Sequence, residues 1–191
     1  MVGSTRPGTF RWSRPAPPRW VVLHHTAVSS DSGSLNALTS SSNGRIAQLY
    51  EDLTPDSLLG AEPGTIGVNY LVLRSGTVLQ LAEERYLTRH AGTGQWGNRG
   101  PIYDFNVETI GIEIVGRGND FTSGQVRNVG RLVADICRRQ AIPLRHVAGQ
   151  AFAEGVLYHR DFAGGLRGKP DPAGWPWSTM MRHAQAYLSG S

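Results

Sequence analysis

The stretch WVVLHHTAV, Trp20 to Val28, decides the fold that this sequence predicts. Its apolar, β-branched start indicates a buried strand that ends at two adjacent histidines, His24 and His25. Side chains alternate across a strand, so the two imidazoles should point to opposite faces of the sheet. Only one of them can then reach a given metal ion, and a lone histidine on a strand is more often structural than a ligand.

Patterns further along the chain predict the rest of the fold. The stretch GVNYLVLRSGTVLQLA, Gly67 to Ala82, predicts a hairpin, and TIGIEIVG, Thr109 to Gly116, predicts a strand with Glu113 among apolar residues. Apolar residues recur at helical spacing from Thr122 to Ile142, and a last helix is predicted from Ser178 to Leu188. Strands and helices alternate, so the predicted class is α/β, a single domain with a central mixed β-sheet flanked by helices.

Three other segments carry predictions of their own. Residues 31–53 end in GRIAQLYEDL and predict a helical region, and residues 144–151, LRHVAGQA, predict a short strand. The stretch from His90 to Asn106 is Gly-rich and carries Trp96 and Tyr103. It is too long for a mere connector, and long loops in compact domains are usually functional or mobile.

Length and composition indicate one globular domain. At 191 residues the chain can bury a core of its own. Residues 1–18 are rich in Pro, Arg, Gly and Ser and predict an extended amino-terminal arm before a domain over residues 19–191. The single cysteine, Cys137, excludes an internal disulfide. No run of about 18 apolar residues occurs, which predicts no membrane span, and no signal-peptide pattern opens the chain.

The charge balance is mildly basic. A net charge of +4 and a pI near 9.6 agree with an anionic polymer as partner. The basic residues are scattered, however, and none of the usual nucleic-acid-binding motifs is present. The sequence therefore predicts no nucleic-acid partner.

A candidate metal site combines His24 with two downstream residues, His159 and Asp171. Both lie in HRDFAGGLRGKPDPAGWPW, residues 159–177, which is predicted to be irregular because it is rich in Gly and Pro. Asp171 precedes Pro172, which biases it towards an extended conformation. Either fragment alone is more often an ordinary turn. Two imidazoles and one carboxylate would leave a fourth position open on zinc, which is typical of a hydrolase that activates water.

The chain resembles a known family through five motifs that occur in its order. VVLHHTA, VNYLVLRSGTV, RHAG, IGIEIVG and HRD…GKPDPAGWPW are similar to those of zinc-dependent N-acetylmuramoyl-L-alanine amidases. These share a superfamily with phage amidase-type lysozymes and peptidoglycan recognition proteins. The resemblance covers residues 20–177 and implies that fold, a Zn²⁺ cofactor, and hydrolysis of the amide between N-acetylmuramic acid and L-alanine in peptidoglycan.

The resemblance also implies roles for individual residues. It assigns the zinc ligands to His24, His159 and Asp171, the catalytic residues to Glu113 and Lys169, and a substrate-binding residue to His90. Glu113 would accept a proton from the attacking water, and burial on its apolar strand would raise its pKa towards that task. Lys169 would offer a positive charge to the developing oxyanion. The alternatives are a salt-bridged structural carboxylate, a solvated lysine and a structurally hydrogen-bonded histidine.

The sequence departs from the family pattern in the second half of the site. The second and third ligands are further apart than usual, and an insert puts Gln150 where a ligand histidine often closes a strand. His146 therefore stays open as a rival to His159, which is favoured because the residues RD follow it. The position of the catalytic tyrosine found in some relatives holds Val68, so Tyr70 is predicted to be a core or edge aromatic.

The implied partner is peptidoglycan, through both its glycan strand and its stem peptide, with a monomeric chain. The alternative is a non-catalytic peptidoglycan-recognition module, although such proteins commonly lack a full ligand set. A nucleic-acid-binding protein would instead show affinity that falls steeply with salt. The sequence leaves the setting open among a phage lysis enzyme, a truncated secreted amidase and a cytosolic recycling enzyme, and it does not identify the stem-peptide type.

Overall fold

A computed structural model describes residues 11–39, 67–96, 102–148, 150 and 152–190. The elements found within these residues are, in chain order, β1 (Arg11–Ser13), β2 (Trp20–His25), α1 (Asp31–Thr39), β3 (Tyr70–Val72), β4 (Val78–Gln80), β5 (Tyr86–Thr88), β6 (Thr93–Gln95), β7 (Ile102–Asp104), β8 (Thr109–Ile114), α2 (Ser123–Gln140), β9 (Gly155–Tyr158), α3 (His159–Arg167) and α4 (Trp177–Ser189). None of the described helices is long and apolar enough to cross a membrane.

The central sheet has five strands in the order β4-β3-β8-β2-β9. Strands β3, β8, β2 and β9 run parallel, and β4 joins β3 as an antiparallel edge. Strand β2 lies between two parallel neighbours, and its apolar residues are buried, as is usual for a parallel strand covered on both faces. The predicted α/β class, a single domain with a mixed sheet flanked by helices, is confirmed.

Helix α2 supplies much of the core on one face of the sheet. The Thr122 hydroxyl accepts a hydrogen bond from the Gln125 backbone N–H, and the Gln125 side chain accepts one from Thr122 in return, which fixes the start of the helix. The predicted apolar face is buried, namely Val126, Val129, Val133, Ile136 and Cys137. Helix α4 packs against α2 where Gly130 faces Met180. Both helices therefore lie where their sequence patterns predicted them.

The hairpin predicted between Gly67 and Ala82 is also confirmed. Leu73 N–H donates to the Thr77 carbonyl at 2.9 Å, and Gly76 completes the turn with a φ of +88°. A side chain at that angle would be strained, and a Cβ there would lie 2.7 Å from the Gly124 backbone. The hairpin is thus held against the start of α2.

Two segments have a different structure from the one predicted. The stretch from His90 to Asn106 contains a small antiparallel pair, β6 with β7, because Phe105 is anchored in the core and its N–H bonds to the Gly92 carbonyl at 3.0 Å. Residues 144–151 do not form the predicted strand, since in their described part pairing is limited to one bridge, His146 with Val156. Turn hydrogen bonds beyond this bridge bend the backbone away from β9.

The prediction that residues 159–177 are irregular is wrong for their first half. Residues His159–Arg167 form helix α3, because the Asp161 carboxylate accepts from the Tyr158 backbone N–H at 2.7 Å and Gly168 ends the helix in the left-handed conformation. Within the helical region predicted over 31–53, Asp31–Thr39 is helical, and GRIAQLYEDL lies outside the described residues.

The described part of the predicted amino-terminal arm contacts the domain. Strand β1 pairs antiparallel with β5, and the Arg14 guanidinium donates to the carbonyls of Glu84, Tyr86 and Val107. The division between an arm over residues 1–18 and a domain over residues 19–191 stays a prediction.

Candidate metal centre and active site

Three buried side chains converge at the carboxyl-terminal edge of the sheet. His24 lies near the end of β2, and His159 opens α3 directly after the neighbouring parallel strand β9. His24 Nδ1 and His159 Nδ1 are 3.0 Å apart, and Asp171 Oδ2 lies 3.2 Å from the first and 3.0 Å from the second. The structure therefore brings together the three ligands predicted from the sequence, which we call the ligand trio.

The donor atoms of the trio fit a divalent metal ion such as zinc. Zinc bonds to nitrogen and oxygen are about 2.0–2.1 Å, so two donors at a tetrahedral angle lie about 3.3 Å apart. His159 Nε2 lies 3.1 Å from the Ala91 carbonyl oxygen, to which it can donate, and 3.0 Å from Nη2 of Arg167. With its hydrogen on Nε2, His159 directs the lone pair of Nδ1 towards the other two donors. A cation placed between these donors would be bound by all three.

The protonation states of the trio suit metal binding. Burial and, next in size, the adjacent His159 ring together lower the pKa of His24 to about 4, against the opposing effect of the Asp171 carboxylate. Burial alone would raise the pKa of Asp171, but its contacts with the His159 and His24 rings outweigh burial and hold the pKa well below its ordinary value. His24 is thus neutral and Asp171 ionised at neutral pH, as metal ligands must be.

Glu113 lies beside the trio on strand β8. The register of the sheet places it directly opposite His24. Its Oε2 atom is buried and has no hydrogen-bond partner among the described residues. Burial, followed by the charge of Asp171, raises the pKa of Glu113 to about 8 against the opposing charge of Lys169. An unpartnered carboxyl with a raised pKa is suited to accept and return a proton.

A cavity of about 370 Å³ opens next to Glu113. Residues of β2, the following turn and α1 line it, including His25, Thr26, Val28 and Leu38. His25 faces away from the trio and contacts Phe121, with ring centres 6.4 Å apart. The prediction that the two adjacent histidines point to opposite faces is therefore confirmed.

Lys169 is exposed on the segment between α3 and Asp171. The positive charge of Lys169 acts on Glu113, because it lowers the pKa of that carboxyl against the larger raising effect of burial. Among the described residues it has no hydrogen bond or ion pair, so its ammonium group is free to contact a substrate.

His90 lies behind the trio. Its Nδ1 is 2.8 Å from His24 Nε2, and its Nε2 is 3.1 Å from the hydroxyl oxygen of Thr109. Burial lowers the pKa of His90 well below the ordinary value, and the neighbouring His24 ring lowers it further. The ring lies over Gly111, where an added Cβ would come within 2.5 Å of it. Substrate binding by His90 stays a prediction.

Comparison with known proteins identifies the family. The family model of N-acetylmuramoyl-L-alanine amidase (Amidase_2) matches residues 14–174. The chain belongs to this amidase family. The resemblance noted in the sequence is thereby confirmed, and family membership supports peptidoglycan amidase activity. No curated protein matches the chain closely enough to count as a relative.

Solved structures of other amidases share the fold of this one. AmpD superposes with a TM-score of 0.62 at 17% identity, covering 94% of this chain and 93% of its own. AmiD from E. coli, solved with anhydro-N-acetylmuramic acid-L-Ala-D-γ-Glu-L-Lys, gives 0.57 at 24% identity, covering 93% of this chain and 66% of its own. The amidase LysC from Clostridium intestinale gives 0.54 at 15% identity, covering 95% and 97%.

His146, the rival ligand predicted from the sequence of this amidase, lies outside the trio. His146 Nε2 lies 2.7 Å from Asp161 Oδ2, and its ring packs against Tyr158 and Trp177. His146 thus supports the carboxylate that starts helix α3. Gln150 is exposed, and Val68 is buried. The Tyr70 hydroxyl donates to Glu84 at 2.6 Å, in agreement with the predicted structural role.

The sequence did not predict the Asn106 side chain and the Ala91 carbonyl as groups that orient the histidine ligands of the amidase site. The Asn106 side-chain oxygen accepts hydrogen bonds from the backbone N–H groups of His90, Ala91 and Gly92. This fixes the Ala91 carbonyl, which accepts from His159 and also from Arg167. A backbone carbonyl has no signature in a sequence. The only signal was that Asn106 ends the Gly-rich stretch.

Proposed function

We propose that this chain is a zinc-dependent amidase that hydrolyses the bond between the lactyl group of N-acetylmuramic acid and L-alanine in peptidoglycan. The observation that carries the proposal is the ligand trio, buried and within bonding geometry for one ion, with the unpartnered Glu113 beside it. Its family supports the reaction class. The muropeptide in the AmiD structure supports the choice of substrate.

The trio would hold the zinc ion. Zinc bound to two neutral imidazoles and one carboxylate keeps a net positive charge, polarises a carbonyl group and lowers the pKa of bound water to about 7. Asp171 partly neutralises that charge and, by its hydrogen-bond distances to both histidines, fixes their separation.

Glu113 would move the proton. Its carboxylate takes a proton from the attacking water and delivers it to the L-alanine amine as that group leaves. The same environment that raises its pKa makes it an effective acid in the second half of the reaction. Lys169, exposed at the rim, would stabilise the negative charge that develops on the substrate carbonyl oxygen.

The partner would be peptidoglycan alone, bound by a monomeric chain. The net charge of +4 agrees with an anionic wall polymer. The cavity beside Glu113 and the β6–β7 pair would provide walls for the stem peptide and the sugar.

The test is mass analysis of products released from purified peptidoglycan, with and without a chelator. Wild-type protein should release free stem peptides that begin with L-alanine, and the chelator should stop the release. Glu113→Ala should lower turnover by at least about 10²–10⁴-fold while zinc stays bound.

The matched control is Glu154→Gln, which removes an exposed carboxylate paired with Arg19 at 3.0 Å. It should release peptides at the wild-type rate. Release by Glu113→Ala at that same rate would disprove the role of Glu113. A wild-type protein that binds peptidoglycan without releasing peptides would be a recognition module instead.

A further inference from the structure

The proton on the Thr109 hydroxyl is assigned by its partners. Thr109 is fully buried, and its hydroxyl lies against the Phe105 carbonyl oxygen, which can only accept. The hydroxyl proton is therefore donated to Phe105. The Thr109 oxygen keeps a lone pair, which faces His90 Nε2 at 3.1 Å. His90 must donate in that contact, so its Nε2 carries a hydrogen.

The next contact carries the same assignment to His24. A neutral His90 with hydrogen on Nε2 has a bare lone pair on Nδ1. That lone pair lies 2.8 Å from His24 Nε2, which must then donate to it. With its hydrogen on Nε2, His24 presents the bare lone pair of Nδ1 to His159 and Asp171.

We propose that His90 is a positioning residue, which sets the tautomer and ring orientation of His24 for metal binding. It acts through a chain of hydrogen bonds, the relay, in which His24 donates to His90, His90 donates to Thr109, and Thr109 donates to the Phe105 carbonyl. The inference rests on the proposed zinc function. It differs from a substrate-binding role, because His90 acts from the side of His24 that faces away from the trio. Metal-binding histidines commonly donate their second ring N–H to a carboxylate, carbonyl or water.

The surroundings hold His90 in this orientation. Its backbone N–H donates to Asn106 Oδ1 at 3.0 Å, and its ring lies over Gly111, where a side chain would collide with it. The His24 and His90 rings stand at 88° to each other, with their centres 5.0 Å apart. The opposite tautomer of His90 would donate to His24 Nε2 and force a hydrogen onto Nδ1, which would block metal binding.

The two histidine ligands are therefore oriented by different means. His159 donates directly to the Ala91 carbonyl at 3.1 Å. His24 Nε2 is paired instead with a neutral histidine, His90, whose Nδ1 lies 2.8 Å away. A histidine can accept only if its other nitrogen is held as a donor, which is the part that Thr109 plays.

The experiment uses two matched pairs of variants. Thr109→Val removes the lone pair that His90 needs, whereas Thr109→Ser keeps it. His90→Phe removes the acceptor for His24, whereas His90→Asn offers a side-chain oxygen near the place of Nδ1. Zinc affinity is measured by competition with a chromophoric chelator, and folding is checked by thermal unfolding of the metal-free protein.

Thr109→Val and His90→Phe should each weaken zinc binding by about 10–100-fold, and the Ser and Asn variants should restore most of the affinity. A smaller loss in folded Thr109→Val protein overturns the proposal, and so does an equal loss in both members of a pair. If His90→Phe fails to fold, the Thr109 pair decides.

A second readout is independent of catalysis. Imidazole ¹⁵N chemical shifts of the zinc-bound wild-type protein should show hydrogen on Nε2 of both His24 and His90. Hydrogen on Nδ1 of either ring overturns the relay. A protein that shows the expected tautomers and binds zinc but releases no peptides would refute the proposed function and leave this inference standing.

Discussion

At the scale of single residues, the charge and the geometry of the trio fit a divalent cation. Asp171 is ionised between two imidazoles whose lone pairs it faces. Asp171→Asn removes the negative charge and adds an N–H group, which would point at the imidazole nitrogens. We expect zinc affinity to fall by at least about 100-fold, since even indirect partners cost about 10–100-fold.

The measurement is zinc content after dialysis against a graded series of chelator concentrations. Asp120→Asn is the control, because Asp120 is a carboxylate paired with Arg74 at 3.3 Å that has no part in the trio. Equal retention of zinc by both variants would contradict the assignment of Asp171 as a ligand.

Lys169 allows a different kind of test, because its predicted role is confined to the transition state. Lys169→Ala should lower kcat by about 10²–10³-fold with little change in KM or in bound zinc. Lys169→Arg keeps the charge and should recover part of the rate. A change in KM alone would mean that Lys169 holds the substrate in its ground state.

At the scale of elements, the sequence predicted those parts whose signals are local. Strand β2 follows from its apolar, β-branched start, and helix α2 follows from apolar residues at helical spacing. The sequence did not predict helix α3, because the glycines at 164 and 165 weaken its helical pattern. The start of the helix also depends on Asp161, whose partner His146 is distant in the sequence. Such a tertiary contact cannot be seen in a local pattern.

The same reasoning explains which part of the site was predictable. The ligand trio followed from motifs that the chain shares with its family. The place of His90 behind His24 did not, because it depends on how its ring packs over Gly111 and on the hydroxyl of Thr109. Neither contact is visible without the pairing of β2 with β8.

Helix α3 carries His159, so its distance from strand β6 matters for the site. Gly94 makes this close approach, and a Cβ there would lie 2.4 Å from the Phe162 ring and 2.9 Å from the Phe162 carbonyl oxygen. Gly94→Ala should push α3 outwards, displace His159 and weaken zinc binding. It should also destabilise the fold by about 1–3 kcal/mol, as overpacking does.

Gly130→Ala is the matched control for this prediction. Its Cβ would lie 2.5 Å from the Met180 carbonyl oxygen, so it should disturb the packing of α2 on α4 to a similar degree. Both variants should lose stability in urea unfolding, but only Gly94→Ala should lose zinc affinity. Equal zinc affinity in the two variants would show that α3 tolerates the displacement.

At the scale of the whole molecule, the site depends on parallel pairing between segments far apart in the chain. His24 and His159 are 135 residues apart, yet β2 and β9 are neighbours and end at the same edge of the sheet. Active sites of open α/β sheets commonly lie at this edge. Stability of the sheet and its helices is therefore a condition for metal binding.

An ion pair between buried Glu84 and partly exposed Arg139 connects the hairpin side of the molecule to α2. Glu84 accepts hydrogen bonds from both terminal nitrogens of Arg139 at 2.6 and 2.7 Å, from Tyr70 at 2.6 Å and from Gln140 at 2.5 Å. Burial alone would raise the pKa of Glu84, but the hydrogen bonds from Arg139, Tyr70 and Gln140 outweigh it and lower the pKa below 4.5. The Glu84 carboxylate therefore binds a proton at a higher pH in the unfolded chain than in the folded one.

This difference sets the direction of a pH effect on stability. The contribution of Glu84 is fully present above pH 4.5 and is lost as the pH falls through the lowered pKa of the folded state. Glu84→Gln should cost about 2 kcal/mol in urea unfolding at about pH 7, as expected for hydrogen bonds to a charged group. The gap between wild type and variant should narrow below pH 4.5, because wild-type Glu84 then becomes protonated. The control is Glu83→Gln, which removes an exposed partner of Arg85 and should cost under about 1 kcal/mol of unfolding free energy. If the stability difference between wild type and Glu84→Gln stays constant with pH, the Glu84 carboxylate does not stabilise the fold through its charge.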